Sequence, residues 1–368
     1  MTLRLHKTGI EFPDGSWQMT AGNGLPYRNL IINGDMRIAQ RGTSSTGQTV
    51  GGYLTVDRWK FNIEAAGTWS MTQDSDVPTG QGFVNSMKMS CTTADASLAA
   101  ADRVWFDQRI EGYNLQQLAY GTASAKSITV SFWVKSNKTG TYILEFYNGS
   151  SNRTASKSYT ISSADTWEKK TITLAGDTVS GFNNDNGLGL YVWFNLAAGS
   201  NYTSGTLNTS WAANVQANRA VGQVNLADST SNYINITGVQ LEVGDTATPF
   251  EYRPWDVELA RAQRYFWSVT GIANGAWAIG QALSPTQGRL FVTHPVVMRV
   301  APTISYTGSP YLTGSGGSGN PITSISTNYG GATSTMLDAN VASGLTAGNA
   351  CVSALGATTD MILVSAEL

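Results

Sequence analysis

The chain is 368 residues long with a formal charge of -2, and only 13% of its residues are charged, against roughly 25% in an ordinary soluble protein. With no cluster of Lys or Arg, it offers no phosphate-tracking stripe, which argues against nucleic acid as a partner. The length exceeds what one core usually holds and predicts two or three folded units. No run of about 18 apolar residues or signal-type N-terminus marks it for membrane insertion or secretion. Cys91 and Cys351 lie too far apart in sequence for a zinc motif or a disulfide framework, and read as core residues.

Residues 1–26 are short of core-forming side chains and carry FPDGSWQ, whose Pro13, Asp14 and Gly15 suit a tight reversal between Phe12 and Trp17. This predicts a small hairpin that another chain or copy covers. Residues 27–252 read as repeated strands. In SITVSFWVKS, for example, Ile128, Val130, Phe132 and Val134 fall on one face and Thr129, Ser131, Trp133 and Lys135 on the other. Bounded by Gly, Asn, Ser and Asp clusters, such strands predict an antiparallel jelly-roll β-sandwich. Residues 253–268 break the pattern: Trp255, Leu259, Ala262 and Phe266 recur at helical spacing behind Asp256, which predicts a short helix. Residues 269–368 return to β-type runs and predict a C-terminal β-sandwich. Its only charged side chains are Arg289, Arg299, Asp338, Asp360 and Glu367, so its surface is expected to meet other copies or a neutral partner.

Chemistry-bearing constellations are sparse. His6 and His294 sit near no nucleophile elbow, and His294, at a strand end, reads as structural. GSGGSGN lacks the Lys of a phosphate loop, and no cofactor is indicated. Asp74, Asp76 and Asp185 are loop acids of the kind that form turns. A structural Ca²⁺ would suit a sandwich, with Asp35 of NGDMR as the candidate ligand, although an Asn-Gly-Asp turn is the plainer reading. The aromatic residues are the sharper signal. Trp133, Tyr147, Trp193, Tyr202, Trp211, Tyr311 and Tyr329 stand in polar loops or on the wet side of strands, where a flat ring can stack on a sugar while Asn, Gln, Ser and Thr bond its hydroxyls. For Trp133 and Trp193 singly, core packing is the plainer reading. The loop rings Tyr202, Trp211, Tyr311 and Tyr329, with Asn328 beside the last, are the glycan-binding candidates.

Several stretches, GIEFPDGSWQ, NLIINGDMRIAQRGTS, VDRWKF, SFWVKS and GVQLEVGDTATPFEYRPWDVELARAQRYF, resemble segments of bacteriophage tail fibre and receptor-binding proteins, in the same order. The resemblance covers residues 8 to 267 discontinuously and is most specific in the last segment. It implies a homotrimeric fibre with a carbohydrate-binding-module-like jelly roll, a distal β domain that touches the host surface, and a lipopolysaccharide or another surface polysaccharide as receptor. Recognition residues vary among such proteins, so none is carried over by motif. Many fibres have a long virion-attachment region, whereas about 26 residues precede the jelly roll here; a short fibre docked to the virion through residues 1–26 is the expectation. In such a fibre the stripe Trp255, Leu259, Ala262 and Phe266 would face the axis as a trimer neck. The resulting expectation is a non-enzymatic adhesin of the virion that acts at the host cell exterior. The alternatives are a polysaccharide depolymerase and a purely architectural virion connector.

Overall fold

A computed structural model describes residues 27–271, 273–314 and 319–368, and within the first 26 residues the backbone of three short strands. Gly9–Glu11 pairs antiparallel with both Arg4–His6 and Trp17–Gln18. The strands of the expected hairpin are therefore present, while its turn, Pro13 to Gly15, lies outside the described residues.

Two antiparallel sheets make the first unit. Sheet A has six strands in the order Glu168–Leu174, Ile128–Ser136, Tyr233–Val243, Ser86–Thr93, Thr68–Asp74 and Ser44–Gln48. Sheet B has seven: Ala212–Ala213, Arg153–Ile161, Gly140–Asn148, Leu188–Ala198, Arg103–Glu111, Lys60–Glu64 and Gly52–Tyr53. The apolar rows meet between them as the sequence predicts, with Ile128, Val130, Phe132 and Val134 of sheet A fully buried against Phe106, Phe146 and Phe194 of sheet B. Phe106 and Phe194 stack at 4.9 Å, and Phe132 and Trp59 meet Phe194 edge-on at 5.2 and 6.0 Å. Such offset and T-shaped arrangements add about 0.5–1.5 kcal/mol per pair beyond area burial. Cys91 is buried in the same core and Cys351 in the second; both are free thiols.

The predicted helix exists as Trp255–Gln263, with Asp256 and Glu258 in its first turn and Arg261 in its last, charges that oppose the macrodipole. Apart from Trp255, however, its expected trimer-facing stripe is already occupied by the chain itself. Ala262 is fully buried with Ile32, Ile38 and Tyr265, and Leu259 and Leu368 pack onto the same cluster. Phe266 is not helical: it opens the strand Phe266–Thr270, with the Arg41 guanidinium 3.4 Å above its ring. Trp255 is half exposed beneath Arg37. The cause lies in Glu258, which is buried on the sandwich side of the helix, ion-paired to Arg253 at 3.0 Å and accepting the Asn33 backbone N–H. A buried charge pair anchors a helix face that an apolar stripe alone would not identify.

Where the C-terminal residues predict a sandwich, six strands close into a barrel: Ala276–Ser284, Gln287–Thr293, Ser334–Val341, Gly319–Gly330, Tyr311–Thr313 and Ala350–Ala354, the last returning to the first. Small residues allow this closure. Ala278 and Ala282 face the interior, and a Cβ on Gly280 would lie 1.8 Å from the Arg289 carbonyl oxygen. Phe266–Thr270, Met361–Ser365 and Thr303–Thr307 form a separate three-stranded sheet. The chain then returns to the sandwich, where Glu367 pairs with Arg58 and Arg41, and Arg299 donates to the Ala366 and Glu367 carbonyls at 2.7 and 2.8 Å. Glu111 of sheet B accepts from Arg264 and Tyr265. The barrel is thus bolted to the jelly roll by buried polar contacts.

Candidate functional site

Alternation turns every second residue of sheet B away from the core. On Arg103–Glu111 the outward row includes Arg103, Trp105, Asp107 and Arg109; on Leu188–Ala198 it is Tyr191, Trp193 and Asn195; on Gly140–Asn148, Glu145 and Tyr147. Register brings these rows together, with Trp193 opposite both Asp107 and Glu145, and Tyr191 opposite Arg109 and Tyr147. The rings form one array. Tyr147 lies parallel to Trp193 at 5.6 Å, Tyr191 meets their edges at 5.4 and 5.1 Å, and Trp105 tilts against Trp193 at 5.7 Å. Trp105, Tyr147 and Tyr191 are half-buried, so part of each ring remains available to a ligand.

The array rests on charge. Glu145 is fully buried and its two oxygens are taken by Arg103 Nη2 and Arg219 Nε, each at 2.6 Å. Arg103 also donates to Asn195 Oδ1, and its guanidinium lies 4.7 Å from the Trp105 ring and 5.2 Å from Trp193. Arg219 covers Trp193 at 4.5 Å. Burial lowers the Arg103 pKa and Glu145 opposes that shift. Asp107 accepts from Arg109 at 3.0 Å and from Asn62 at 2.6 Å; burial pushes its pKa up and Arg109 opposes it. Each oxygen of both carboxylates thus accepts from a neighbouring side chain, and the Arg109 that Asp107 holds lies 4.8 Å from the Tyr191 ring. The indole N–H groups of Trp105 and Trp193 and one amino group of Arg219 have no hydrogen-bond partner among the described residues. Unsatisfied buried donors in a finished fold call for water or a ligand to supply the acceptor.

The residues singled out from the sequence scatter, except at this face. Tyr202, expected in an exposed loop, sits in the short helix Ser200–Thr203 and is buried, its hydroxyl donating to Glu64 Oε2 at 2.6 Å and its ring 4.7 Å from Arg103. It walls one end of the array instead of binding alone. Trp211 is half-buried, edge-on to Tyr120 at 5.8 Å at the margin of the sandwich core. Tyr311, Asn328 and Tyr329 are on barrel strands, not tip loops. Tyr311 donates its hydroxyl to Asn274 at 2.9 Å and pairs across to Pro321; Tyr329, 68% exposed, stands opposite Met336. Eight residues of one strand, about 25 Å, separate these positions, so the two rings form no common site. Asn328 is engaged with Asp338 at 2.9 Å. Asp35 is an ion-pair partner of Arg37 at 2.8 Å, and among the described residues no group of three or more His, Cys, Asp or Glu converges as a metal site. Burial raises the Asp35 pKa to about 6. His294 is buried with Nε2 3.0 Å from Thr335 Oγ1, a structural position. The sequence singles out Tyr147 and Trp193 but not Trp105, Tyr191 or the Arg103–Glu145–Arg219 support, although RVWFDQR carries the alternation that sets Trp105 between Arg103 and Asp107.

Hollows lie elsewhere on the molecule. A groove of about 790 Å³ between the helix Trp255–Gln263 and residues 296–297 is lined by Tyr27, Tyr113, Val257, Ala260 and Val297 among others. A smaller one lies on the outward side of sheet A. Among the described residues no helix is long and apolar enough to cross a membrane.

No family model and no curated protein matches the chain. Among solved structures it is similar to the enzymatically active domain of tailspike protein 4 from bacteriophage CBA120, at 15% identity and a TM-score of 0.31 over 60% of this chain and 22% of that one. It is also similar to TmCBM61 in complex with β-1,4-galactotriose (10% identity, TM-score 0.30, 59% of this chain and 99% of that one). A third is the family 11 carbohydrate-binding module from Clostridium thermocellum in complex with a β-1,3-1,4-mixed-linked tetrasaccharide, at 13% identity and a TM-score of 0.29 over 56% of this chain and 98% of that one. At scores this low, function has to be read from the side chains of this chain.

Proposed function

We propose that the chain is a glycan-binding adhesin that holds its ligand on the outward face of sheet B. The observation that carries this reading is the array of Trp105, Tyr147, Tyr191 and Trp193, held by buried ion pairs and framed by amides. Flat rings take the C–H faces of sugar rings, and the surrounding polar groups bond hydroxyls, giving affinity without net charge. The adhesin binds its glycan without cutting it, a reading supported by the use of Glu145 and Asp107 as ion-pair partners of the arginines around the rings. The tail-fibre setting rests on the sequence resemblance: a homotrimer, attached through its N-terminus to other virion tail or baseplate proteins, that binds a host surface polysaccharide or lipopolysaccharide during adsorption. With the inner stripe of the helix occupied, the exposed apolar residues Tyr27, Tyr113, Trp255 and Val297 support copies meeting on the other side of the helix.

The test is binding of the full chain to a panel of surface polysaccharides, with Tyr147→Ala and Tyr191→Ala as the variants. Removal of one stacking ring is expected to weaken binding about tenfold or more. Polysaccharide incubated with the protein should show no new reducing ends; their appearance would favour a depolymerase.

A further inference from the structure

The side of sheet A turned away from the core carries a hollow of about 400 Å³, within the range of small-ligand clefts, about 300–1,000 Å³. Its floor is Ser131 and Trp133, the outward partners of the core row Val130, Phe132 and Val134. Its wall is Phe83, Phe250 and Tyr252, packed edge to face, with Phe83–Phe250 at 5.2 Å and Phe250–Tyr252 at 4.9 Å.

A bulge builds this wall. Between Ser131 and Trp133 the pairing with Tyr233–Val243 slips, and Gly238 adopts a φ of 62°. A Cβ at Gly238 would lie 2.5 Å from the Phe83 ring, so glycine permits both the backbone conformation and the seat of that ring. The segment before Phe250 is tied down as well. Gln240 Nε2 donates to the Pro249 carbonyl at 3.2 Å, and the Thr248 backbone N–H donates to Glu242 Oε2 at 3.0 Å. The Tyr252 hydroxyl donates to the Gln81 carbonyl. The hollow is therefore formed in advance, which lowers the ordering cost of binding.

Charge at its mouth selects the ligand. Lys169 is the direct cross-strand partner of Trp133, is exposed, and forms no ion pair among the described residues. Its charged neighbours are compensated: Lys135 by Asp76, Lys170 by Glu168 at 2.6 Å, and Glu242 by Arg28 at 3.3 Å. The Trp133 indole N–H likewise makes no hydrogen bond among the described residues. An uncompensated ammonium beside a flat ring with a spare donor suits an anionic ring.

We propose that this hollow is a second sugar site that takes a carboxylated pyranose, such as a uronic acid, with the ring on Trp133 and the carboxylate at Lys169. It lies on the opposite sheet from the Tyr147–Trp193 array and stands independently of it.

The experiment is ligand-observed saturation-transfer NMR on the full chain, with the galacturonic acid trimer and the neutral galactose trimer as probes. The acidic trimer should bind. Lys169→Gln, an exposed change that leaves the fold alone, should weaken it about fivefold without altering affinity for the neutral trimer. Trp133→Ala should remove binding of the acidic trimer, and Tyr147→Ala should leave it. Absence of galacturonate binding, or equal affinity in Lys169→Gln, overturns the proposal. Galacturonate binding lost in Tyr147→Ala and kept in Trp133→Ala also overturns it, while leaving the adhesin reading in place.

Discussion

Glu145 shows how single residues set this surface. Fully buried between Arg103 and Arg219, it fixes two guanidinium planes, and these in turn fix Trp105 and Trp193. Glu145→Gln should keep the volume but weaken the charge-assisted bonds, costing about 3 kcal/mol as a buried ion pair loses one partner. Urea denaturation measures this, and a loss below about 1 kcal/mol would show that the ion pairs are not what hold the rings. A second residue sets a pH dependence. Burial raises the Asp57 pKa to about 7, against the opposing Arg41, and the Asp35 pKa to about 6. A carboxylate whose folded pKa exceeds its unfolded value binds its proton more tightly in the folded state. Its contribution is complete below the unfolded pKa, about 4, and is lost as pH rises through the folded pKa. These two groups should therefore lower stability as pH rises from about 4 to about 7, and Asp57→Asn should flatten that decline in thermal melts. An unchanged slope would contradict the assignment.

The helix Trp255–Gln263 and the strand that follows it mark where the sequence is legible at the element scale and where it is not. Helical spacing locates the helix, and the alternation of SITVSFWVKS places its strand and its buried row correctly. Spacing fails at Phe266, which fits a helical stripe and a β pattern equally well and is a strand residue. It fails again at Glu258, because a buried acid is invisible unless its partner, Arg253, is known to fold back on it. Tyr311 looks like a loop residue because it stands between Pro310 and a Gly/Ser run, and Asn328 and Tyr329 because NPITSISTNYG is written in polar and turn-prone letters, yet the exposed outer face of a small barrel tolerates such strands. Alternation also cannot separate two stacked sheets from one sheet closed on itself, so the C-terminal barrel reads as a sandwich until its first and last strands are seen to pair. In the candidate site, Tyr147 is legible as an outward ring, whereas Trp193, for which core packing is the plainer sequence reading, and the union of both with Trp105 and Tyr191 depend on strand register. Glu258→Ala should destabilise the protein by about 3 kcal/mol, removing one of the two acids paired to the buried Arg253 and the acceptor of the Asn33 backbone N–H. A change of less than about 1 kcal/mol on denaturation would show that the helix is held by Ala262 and Leu259 alone.

For the whole molecule, the junction between jelly roll and barrel determines what the two units can do together. Glu367 with Arg58 and Arg41, Arg299 with the Asn186 carbonyl, and Arg264 with Glu111 join them, so the two units hold their faces in a fixed arrangement. A shallow aromatic face is individually weak, and repetition of it on linked copies raises apparent affinity through effective concentration without any new contact. Native mass measurement should give the mass of three chains, and Val297→Glu at the exposed apolar patch should reduce it; a monomer in the unaltered protein would remove the fibre setting. The most direct test of the central claim is adsorption of the purified full chain to host cells or their extracted surface polysaccharide, compared with Tyr147→Ala. Saturable binding by the unaltered chain that drops about tenfold or more in the variant is the expected result. Binding of equal strength by both would contradict a glycan site on the outward face of sheet B.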